Sequence, residues 1–447
     1  MRFGNHRMLA AATLAAIGFG SAITCAAEST VQELKEQIDA LQHKVNSLEV
    51  KQNSGDAAAT ADAIFRDTQR RSQFLSEEGS PFLAGYKKDK GFRLQDEKGD
   101  FVLHLWFQFQ PRYVTNWREG AKNSNDDIQS GFEIRRMKFG VDGNVFGPDL
   151  SYLFNWATNR KTGALELEEA WAKYKFNGEW FVRGGQLKDP LAHEQIMSSK
   201  TLLAADRSLL NEIFIGGDDF VQAVTLGYGG DKSPIQAEIA FTDGSQTANT
   251  NFQDDISNTT TAQARPDYGF AGRVQYKVFG DWKNYQDFTA RGTKTDLFVI
   301  GAGADYTEIS STRNILHTVD AQYETTFGLS LYGAFIGRYT DPGAGDTRYD
   351  WGALGQVAYM LDPNHWEVFG RYDYIRPDTG TFSAGSERNI HEFTAGVNYY
   401  FQGHAAKMTL DASWLPNGCP VAQDGIGVLA NDGDNELIVR LQFQLLL

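Results

Sequence analysis

Basic side chains recur two residues apart in several short segments of this chain, with an apolar residue between the members of each pair. Examples are Arg136 with Lys138 and Lys173 with Lys175. A guanidinium group binds phosphate and carboxylate oxygens as a planar fork, and a lysine ammonium attracts the same anions as a compact point charge. Such residues can attract, hold and release an anion without any covalent chemistry.

The sequence contains no pattern that indicates a covalent reaction. Its eight histidines lack the spacing of a zinc site, and neither a phosphate-binding glycine loop nor a nucleophile elbow is present. We therefore expect no enzyme activity, no metal and no cofactor. The formal net charge of −15 also argues against nucleic acid as a partner.

The segments that carry these cations alternate between apolar and polar residues. Near the end of the chain, Leu437, Val439, Leu441 and Phe443 are each separated by one residue. Because successive side chains of a strand point to opposite faces, each such segment has an apolar and a polar face. About 16 of these segments lie within residues 101–447. They predict an all-β fold, a closed 16-stranded antiparallel transmembrane β-barrel with lipid outside and water inside.

The connections between the predicted strands alternate in length, as in barrels with short periplasmic turns and long outer loops. Two of them break this alternation: residues 279–296 are long where a turn is expected, and residues 160–165 are short where a loop is expected. A soluble β-sandwich would also alternate in polarity, but it would not easily reach 16 strands in one domain.

If the apolar faces contact lipid, the alternate residues line the lumen. Some of the candidates for lining the pore or binding an anion are the three cations of the loop 188–219. This loop would narrow the channel if it folded inward. Arg135 has the opposite parity, which places it near a barrel rim or in a bulge. The alternative is that these charges are only solvated. The candidates are Arg112, Arg136, Lys138, Lys173, Lys175, Lys188, Lys200, Arg207, Arg273, Lys277, Arg371 and Arg440.

The start of the chain has the features of an export signal. Arg2 and Arg7 precede a long apolar stretch, and small residues follow it up to Ala27. This pattern predicts a signal peptide over residues 1–27, cleaved after Ala26 or Ala27.

Residues 28–53 show a heptad spacing that predicts a short periplasmic coiled coil, with a single amphipathic helix as the alternative. Residues 54–98 are expected to form a linker of weak structure, and residues 99–447 the barrel. The apolar heptad positions are Val31, Leu34, Ile38, Leu41, Val45 and Leu48.

Four stretches in order along the chain resemble the phosphate-selective porin O/P family of Gram-negative outer membranes. The resemblance covers residues 88–447 and extends to an N-terminal coiled coil, which some members carry. It implies a homotrimeric 16-stranded porin that admits anions. The stretches are Gly91-Phe92-Arg93-Leu94, residues 132–140, Arg183-Gly184-Gly185-Gln186-Leu187-Lys188-Asp189-Pro190 with Ser198-Ser199 and Asp206-Arg207, and residues 395–401.

Two features depart from the family pattern. Members that select phosphate strongly carry a run of alternating arginines along one pore wall, and here only Arg273 and Lys277 share a strand face in that region. Most outer-membrane barrels also end in an aromatic residue, whereas this chain ends in Leu447. The first departure bears on phosphate specificity, and the second leaves the barrel prediction intact.

Three functions follow from these patterns. The first is a passive outer-membrane channel for small anions, such as phosphate or polyphosphate. The second is a general or carbohydrate-passing porin, in which Trp106 and Trp171, also of lumen parity, stack on sugar rings. The third is structural: the coiled coil reaches the cell wall and the barrel anchors it in outer-membrane lipid.

Overall fold

The computed structural model describes residues 39–44, 83–87, 91–119, 127–250, 266–382 and 389–447. The chain divides into two compact units, Met1–Pro81 and Phe82–Leu447. In the first unit, residues 39–44 are helical. The predicted signal peptide, the rest of the coiled-coil segment and residues 45–82 lie outside the described residues. Among the described helices, none combines the length and apolar character that a membrane-spanning helix needs.

The second unit is built from strands. Residues 83–95 form a hairpin of two short strands, β1 (Leu83–Lys87) and β2 (Gly91–Gln95), and two-residue strands β18 (Gly418–Cys419) and β19 (Asn431–Asp432) pair in a late loop. The barrel strands are β3 (Val102–Arg118), β4 (Ile128–Asn144), β5 (Leu150–Thr158), β6 (Leu165–Phe176), β7 (Trp180–Lys188), β8 (Phe220–Tyr228), β9 (Ile235–Thr242), β10 (Tyr268–Phe279), β11 (Leu297–Ile309), β12 (Thr312–Glu324), β13 (Leu329–Asp341), β14 (Arg348–Met360), β15 (Trp366–Arg376), β16 (Ile390–Gln402), β17 (Ala406–Leu415) and β20 (Glu436–Leu446).

These 16 strands close into an antiparallel barrel. Each pairs with its neighbour along the chain, and the last strand, β20, pairs with both β17 and β3. The closing register places Leu441 opposite Tyr113. Closure gives every barrel strand a hydrogen-bonded neighbour on each side, as a lipid environment requires. The predicted fold is confirmed.

The hairpin of β1 and β2 adds a small sheet extension at the start of the barrel. Phe92 of β2 lies opposite Leu105 of β3, on the same edge of β3 that pairs with β20 further along. This hairpin lies within residues 54–98, which were expected to form a linker of weak structure.

Side-chain parity separates a lipid face from a lumen face in every barrel strand. In β3, Phe107 is 49% exposed, whereas Gln108 and Gln110 are each 1% exposed. In β9, Ile239 is 62% exposed on the outer surface. Apolar side chains therefore form the outer surface of the barrel, as in outer-membrane barrels. The interior contains many polar side chains, and Leu316, Ile336 and Leu354 lie there in a buried apolar cluster.

The barrel has one end with tight turns, here called the turn end, and one end with long loops, here called the loop end. Asn177 and Gly178 form a tight turn between β6 and β7, and both have positive φ, 49° and 77°. Two successive residues of positive φ match the right-handed twist of the flanking strands, and Asn-Gly is the pair that adopts this conformation most readily.

Residues 189–219, the inward loop, fold into the lumen from the loop end. They contain two short helices, α1 (His193–Ile196) and α2 (Leu209–Ile215). Ser208 caps α2, since its hydroxyl accepts a hydrogen bond from the backbone N–H of Asn211 at 3.0 Å. The apolar side chains that hold this loop in the interior are buried, and they include Leu202, Leu203, Leu209 and Leu210.

Residues 280–296, the plug segment, enter the lumen from the turn end. Phe288 packs against Tyr332 of β13, and the Thr289 hydroxyl donates to Glu367 of β15 at 2.6 Å. His193 of the inward loop stacks on Tyr285 with ring centroids 3.8 Å apart. The unusual length of this connection thus supplies a segment that meets the inward loop inside the barrel.

Candidate functional site in the barrel lumen

A cavity of about 790 Å³ opens inside the barrel towards the turn end, and we name it the turn-end cavity. Its wall comes from strands β2 to β10, from the inward loop and from the plug segment. Among the described lining residues, eight are Lys or Arg and five are Asp or Glu. The cations are Arg93, Lys138, Lys173, Lys175, Arg183, Lys188, Lys200 and Arg273, and the acids are Asp142, Glu168, Glu169, Asp231 and Glu238.

A second cavity of about 380 Å³ lies on the same side of the lumen towards the loop end, and we name it the loop-end cavity. Its described lining contains five cations and four carboxylates. The cations are Arg135, Arg136, Lys138, Arg160 and Arg207, and the acids are Glu166, Glu168, Glu212 and Asp218.

Two lysine–carboxylate pairs form the junction between the cavities. Lys138 and Glu168 line both cavities and lie 2.6 Å apart. Lys188 lines the turn-end cavity, and its partner Asp218, 2.7 Å away, lines the loop-end cavity. A solute that passes from one cavity to the other therefore meets side chains of both signs at this junction.

Three arginines of the barrel wall converge on one carboxylate of the inward loop. Asp206, 1% exposed, pairs with Arg112 of β3 and with Arg135 and Arg136 of β4, the last at 2.8 Å. Burial raises the pKa of Asp206, but the three guanidinium groups outweigh it and hold the pKa well below its usual range. The cluster fastens the inward loop to the wall.

A bulge in β4 brings Arg135 into this cluster. Gln110 pairs with Arg136, and the next residue, Pro111, pairs with Ile134, which leaves Arg135 as the extra residue of β4. A bulge redirects a side chain against the strand parity, and Pro111 lacks the backbone N–H that a regular ladder would use. The sequence left two places open for Arg135, near a barrel rim or in a bulge, and the structure places it in a bulge.

Four other predicted cations also form ion pairs in the interior. Arg207 pairs with Asp218 and donates to backbone carbonyls of the inward loop, including that of Met197 at 2.8 Å. On the strands, the pairs are Arg273 with Asp320, Arg371 with Asp373 and Arg440 with Asp411, at 2.8, 3.1 and 2.6 Å. Of these, only Arg273 also lines the turn-end cavity.

The remaining predicted residues are lysines that line the turn-end cavity or lie near an aromatic ring. Lys200 Nζ lies 3.0 Å from the centre of the Trp106 ring, and Lys173 Nζ lies 5.3 Å from that of Phe181. Among the described residues, Lys173, Lys175 and Lys200 take part in no ion pair. Lys277 lies on the wall outside the described linings, with Nζ 5.1 Å from the Trp282 ring.

Arg183 of β7 lines the turn-end cavity and pairs with Glu238 at 2.7 Å, but it is not among the residues predicted from the sequence. Parity was the signal that could have identified it, since the flanking Val182 is 39% exposed on the outer surface. Phe181 obscured this signal, because it is an apolar residue that also faces the lumen. Arg160, which lines the loop-end cavity, lies in the loop between β5 and β6. Strand parity therefore could not have identified it.

Three solved structures share the fold at low sequence identity. They are an anion-selective porin from Comamonas acidovorans, OprB from Pseudomonas putida at high pH, and OmpF from Salmonella typhi in complex with daunomycin. The TM-scores are 0.54, 0.51 and 0.50, with identities of 12%, 12% and 13%. The matches cover 77%, 77% and 78% of this chain and 99%, 94% and 98% of the respective structures.

No curated protein matches the sequence of this chain. The family model described as phosphate-selective porin O and P matches residues 114–418. This range spans most of the barrel, from β3 to β18, and includes the inward loop. Family and fold indicate a channel of the outer membrane rather than an enzyme. The chain is a member of the phosphate-selective porin O and P family.

Proposed function

We propose that this porin passes small anions, such as phosphate or polyphosphate, across the outer membrane by passive diffusion. The path runs from the loop-end cavity through the junction at Lys138 and Lys188 into the turn-end cavity. The observation that carries the proposal is the excess of cations over carboxylates in the described linings of both cavities, eight to five and five to four.

In a narrow water-filled path, the charged side chains along the path affect ion selectivity more than the net charge of the whole protein does. The chain as a whole is acidic, with a net charge of −15, but a permeating ion responds to the side chains that line its route. Low-dielectric walls focus the field of these groups and raise the local concentration of ions of opposite sign. Lys173, Lys175 and Lys200 add to this positive field when protonated, because no described carboxylate neutralises them in an ion pair.

The carbohydrate-passing alternative would use the faces of Trp106 and Trp171. The face of Trp106 is occupied by Lys200 Nζ, and Arg183 Cζ lies 5.4 Å from the centre of the Trp171 ring. A neutral sugar would have to displace these cations from the rings, and it could not form an ion pair with them. This observation favours anions over sugars.

The test is the reversal potential of the purified protein in a planar bilayer under a KCl gradient, followed by titration with phosphate. We expect a potential that reports preference for chloride, and a decrease in chloride current as phosphate is added. A potential of the opposite sign would contradict the proposal. Block by glucose at similar concentrations, with weak ion selectivity, would support the carbohydrate-passing alternative.

We further propose the homotrimer and the periplasmic coiled coil that the family resemblance implies. Crosslinking of the protein in isolated outer membranes is expected to give a three-chain species. Removal of residues 28–82, which spares the hairpin of β1 and β2, is expected to leave conductance intact. If envelope integrity also falls, the N-terminal region acts as a tether to the cell wall.

A further inference from the structure

We infer that the turn-end cavity is a binding site for organic anions that carry a carboxylate on a flat apolar body, such as a benzoate. This inference rests on the proposed function and specifies its substrate class. It begins from two aromatic rings, those of Trp106 and Phe181, which line the same cavity as Lys173, Lys175 and Lys200.

Both rings extend over a glycine of the next strand. Trp106 pairs with Gly140, and Phe181 pairs with Gly227. A Cβ atom at either glycine would overlap the ring of its partner. The absence of these two side chains leaves room for the rings in the wall of the turn-end cavity.

The ammonium group of a lysine lies near each of the two rings. Lys200 Nζ lies over Trp106 at 3.0 Å from the ring centre, and Lys173 Nζ lies 5.3 Å from the centre of Phe181. These separations are within the range of cation–π attraction. Because a lysine ammonium is mobile on its flexible stem, a carboxylate can draw it off the ring. The flat body of the ligand then takes its place on the exposed face.

The rest of the lining fits an apolar body better than an inorganic ion. Leu153, Ile196 and Met197 lie in the same wall. A cavity of about 790 Å³ is far larger than a phosphate ion, which could use the lysines but not the apolar surface. An aromatic carboxylate uses both, and burial of its ring adds a favourable term that acetate lacks.

The test compares benzoate, acetate and phosphate as blockers of chloride current through the full-length protein in planar bilayers. We expect half-maximal block by benzoate at a concentration roughly ten-fold below that of acetate, from the burial of one ring. In Trp106→Leu and Phe181→Leu, the ratio of the two blocking concentrations is expected to fall towards one. Phe107→Leu, a matched change on the lipid face, is expected to keep the wild-type ratio.

The possible outcomes separate this inference from the proposed function. Chloride preference with equal block by benzoate and acetate, or with stronger block by phosphate than by benzoate, would overturn the inference and leave the anion channel in place. A wild-type ratio in both ring variants, each shown to be folded by heat-modifiable mobility, would also overturn it. Preference for potassium would overturn the proposed function itself.

Discussion

Asp206 of the inward loop accepts a hydrogen bond from Arg135 Nε at 2.7 Å, although Arg135 has the lipid-facing parity of β4. The bulge at Arg135 makes this contact possible and adds a third guanidinium to a carboxylate that already pairs with Arg112 and Arg136. A single acid of the loop therefore neutralises part of the charge of two strands.

Replacement of Asp206 tests how far this cluster holds the inward loop. Asp206→Asn is expected to lower the free energy of unfolding by about 3–5 kcal/mol, because three guanidinium groups lose their shared partner. Two of them, those of Arg112 and Arg136, are buried. The measurement is urea unfolding followed by heat-modifiable mobility. Asp424→Asn is the control, since its partner Lys161 is 69% exposed and exposed pairs contribute about 0–1 kcal/mol. Equal stability of the two variants would show that the cluster does not stabilise the loop.

Lys200 should make anion preference depend on pH. Burial lowers the pKa of Lys200, Asp142 opposes this shift and Lys138 adds to it, and the resulting pKa is about 7. The ammonium is therefore charged below about pH 7 and loses its proton as the pH rises through this value. Chloride preference from reversal potentials should decrease between pH 6 and pH 8. Lys200→Gln should reduce this decrease. A decrease of unchanged size in the variant would assign it to another group, such as Glu212 of the loop-end cavity, whose pKa burial raises to about 7.

Met137 and Lys138 are neighbours in β4 that face opposite sides of the wall. Met137 is 46% exposed on the outer surface, and Lys138 is 8% exposed in the lumen. Met137→Glu is expected to impair membrane insertion at a cost of up to about 2–4 kcal/mol, with acidic residues at the low end. Folding yield into lipid vesicles measures this effect. Wild-type yield would contradict the assignment of this face to lipid.

Lys138→Glu should instead spare insertion and move selectivity towards cations, because it places two carboxylates at the junction between the cavities. The reversal potential measures this shift. The double variant Lys138→Glu, Glu168→Lys restores one charge of each sign and is expected to recover most of the wild-type anion preference. Unchanged selectivity in the single variant would show that ions do not pass the junction at Lys138.

The plug segment should reduce the conductance of the channel. Replacement of residues 281–296 by an Asn-Gly turn removes the buried side chains of Tyr285 and Phe288 from the lumen, so the single-channel conductance is expected to rise. Insertion of the same two residues into the exposed turn at 362–364 is the control. A conductance equal to that of the wild type would show that the segment lies outside the ion path.

The sequence determined the barrel because side-chain parity is a local property of a strand. Alternation along each segment distinguished Met137 from Lys138 and Phe107 from Gln108 without any knowledge of partners. The buried leucines of the inward loop, such as Leu209 and Leu210, were also visible as apolar residues within a polar connection. These features depend only on the order of residues and on the two solvents on either side of the wall.

Only the tertiary structure decided which cations face open space. The sequence gives the same lumen-facing parity and the same positive charge to Arg112, Arg371 and Lys173. In the structure, the two arginines pair with acids, whereas Lys173 lines the turn-end cavity. Arg112 pairs with Asp206, which lies 94 residues away, so no local pattern reveals that pairing. The long connection at 279–296 was likewise visible as an exception, but its place inside the barrel depends on packing against distant strands. Pairing and packing between distant segments set the charge that a permeating ion meets.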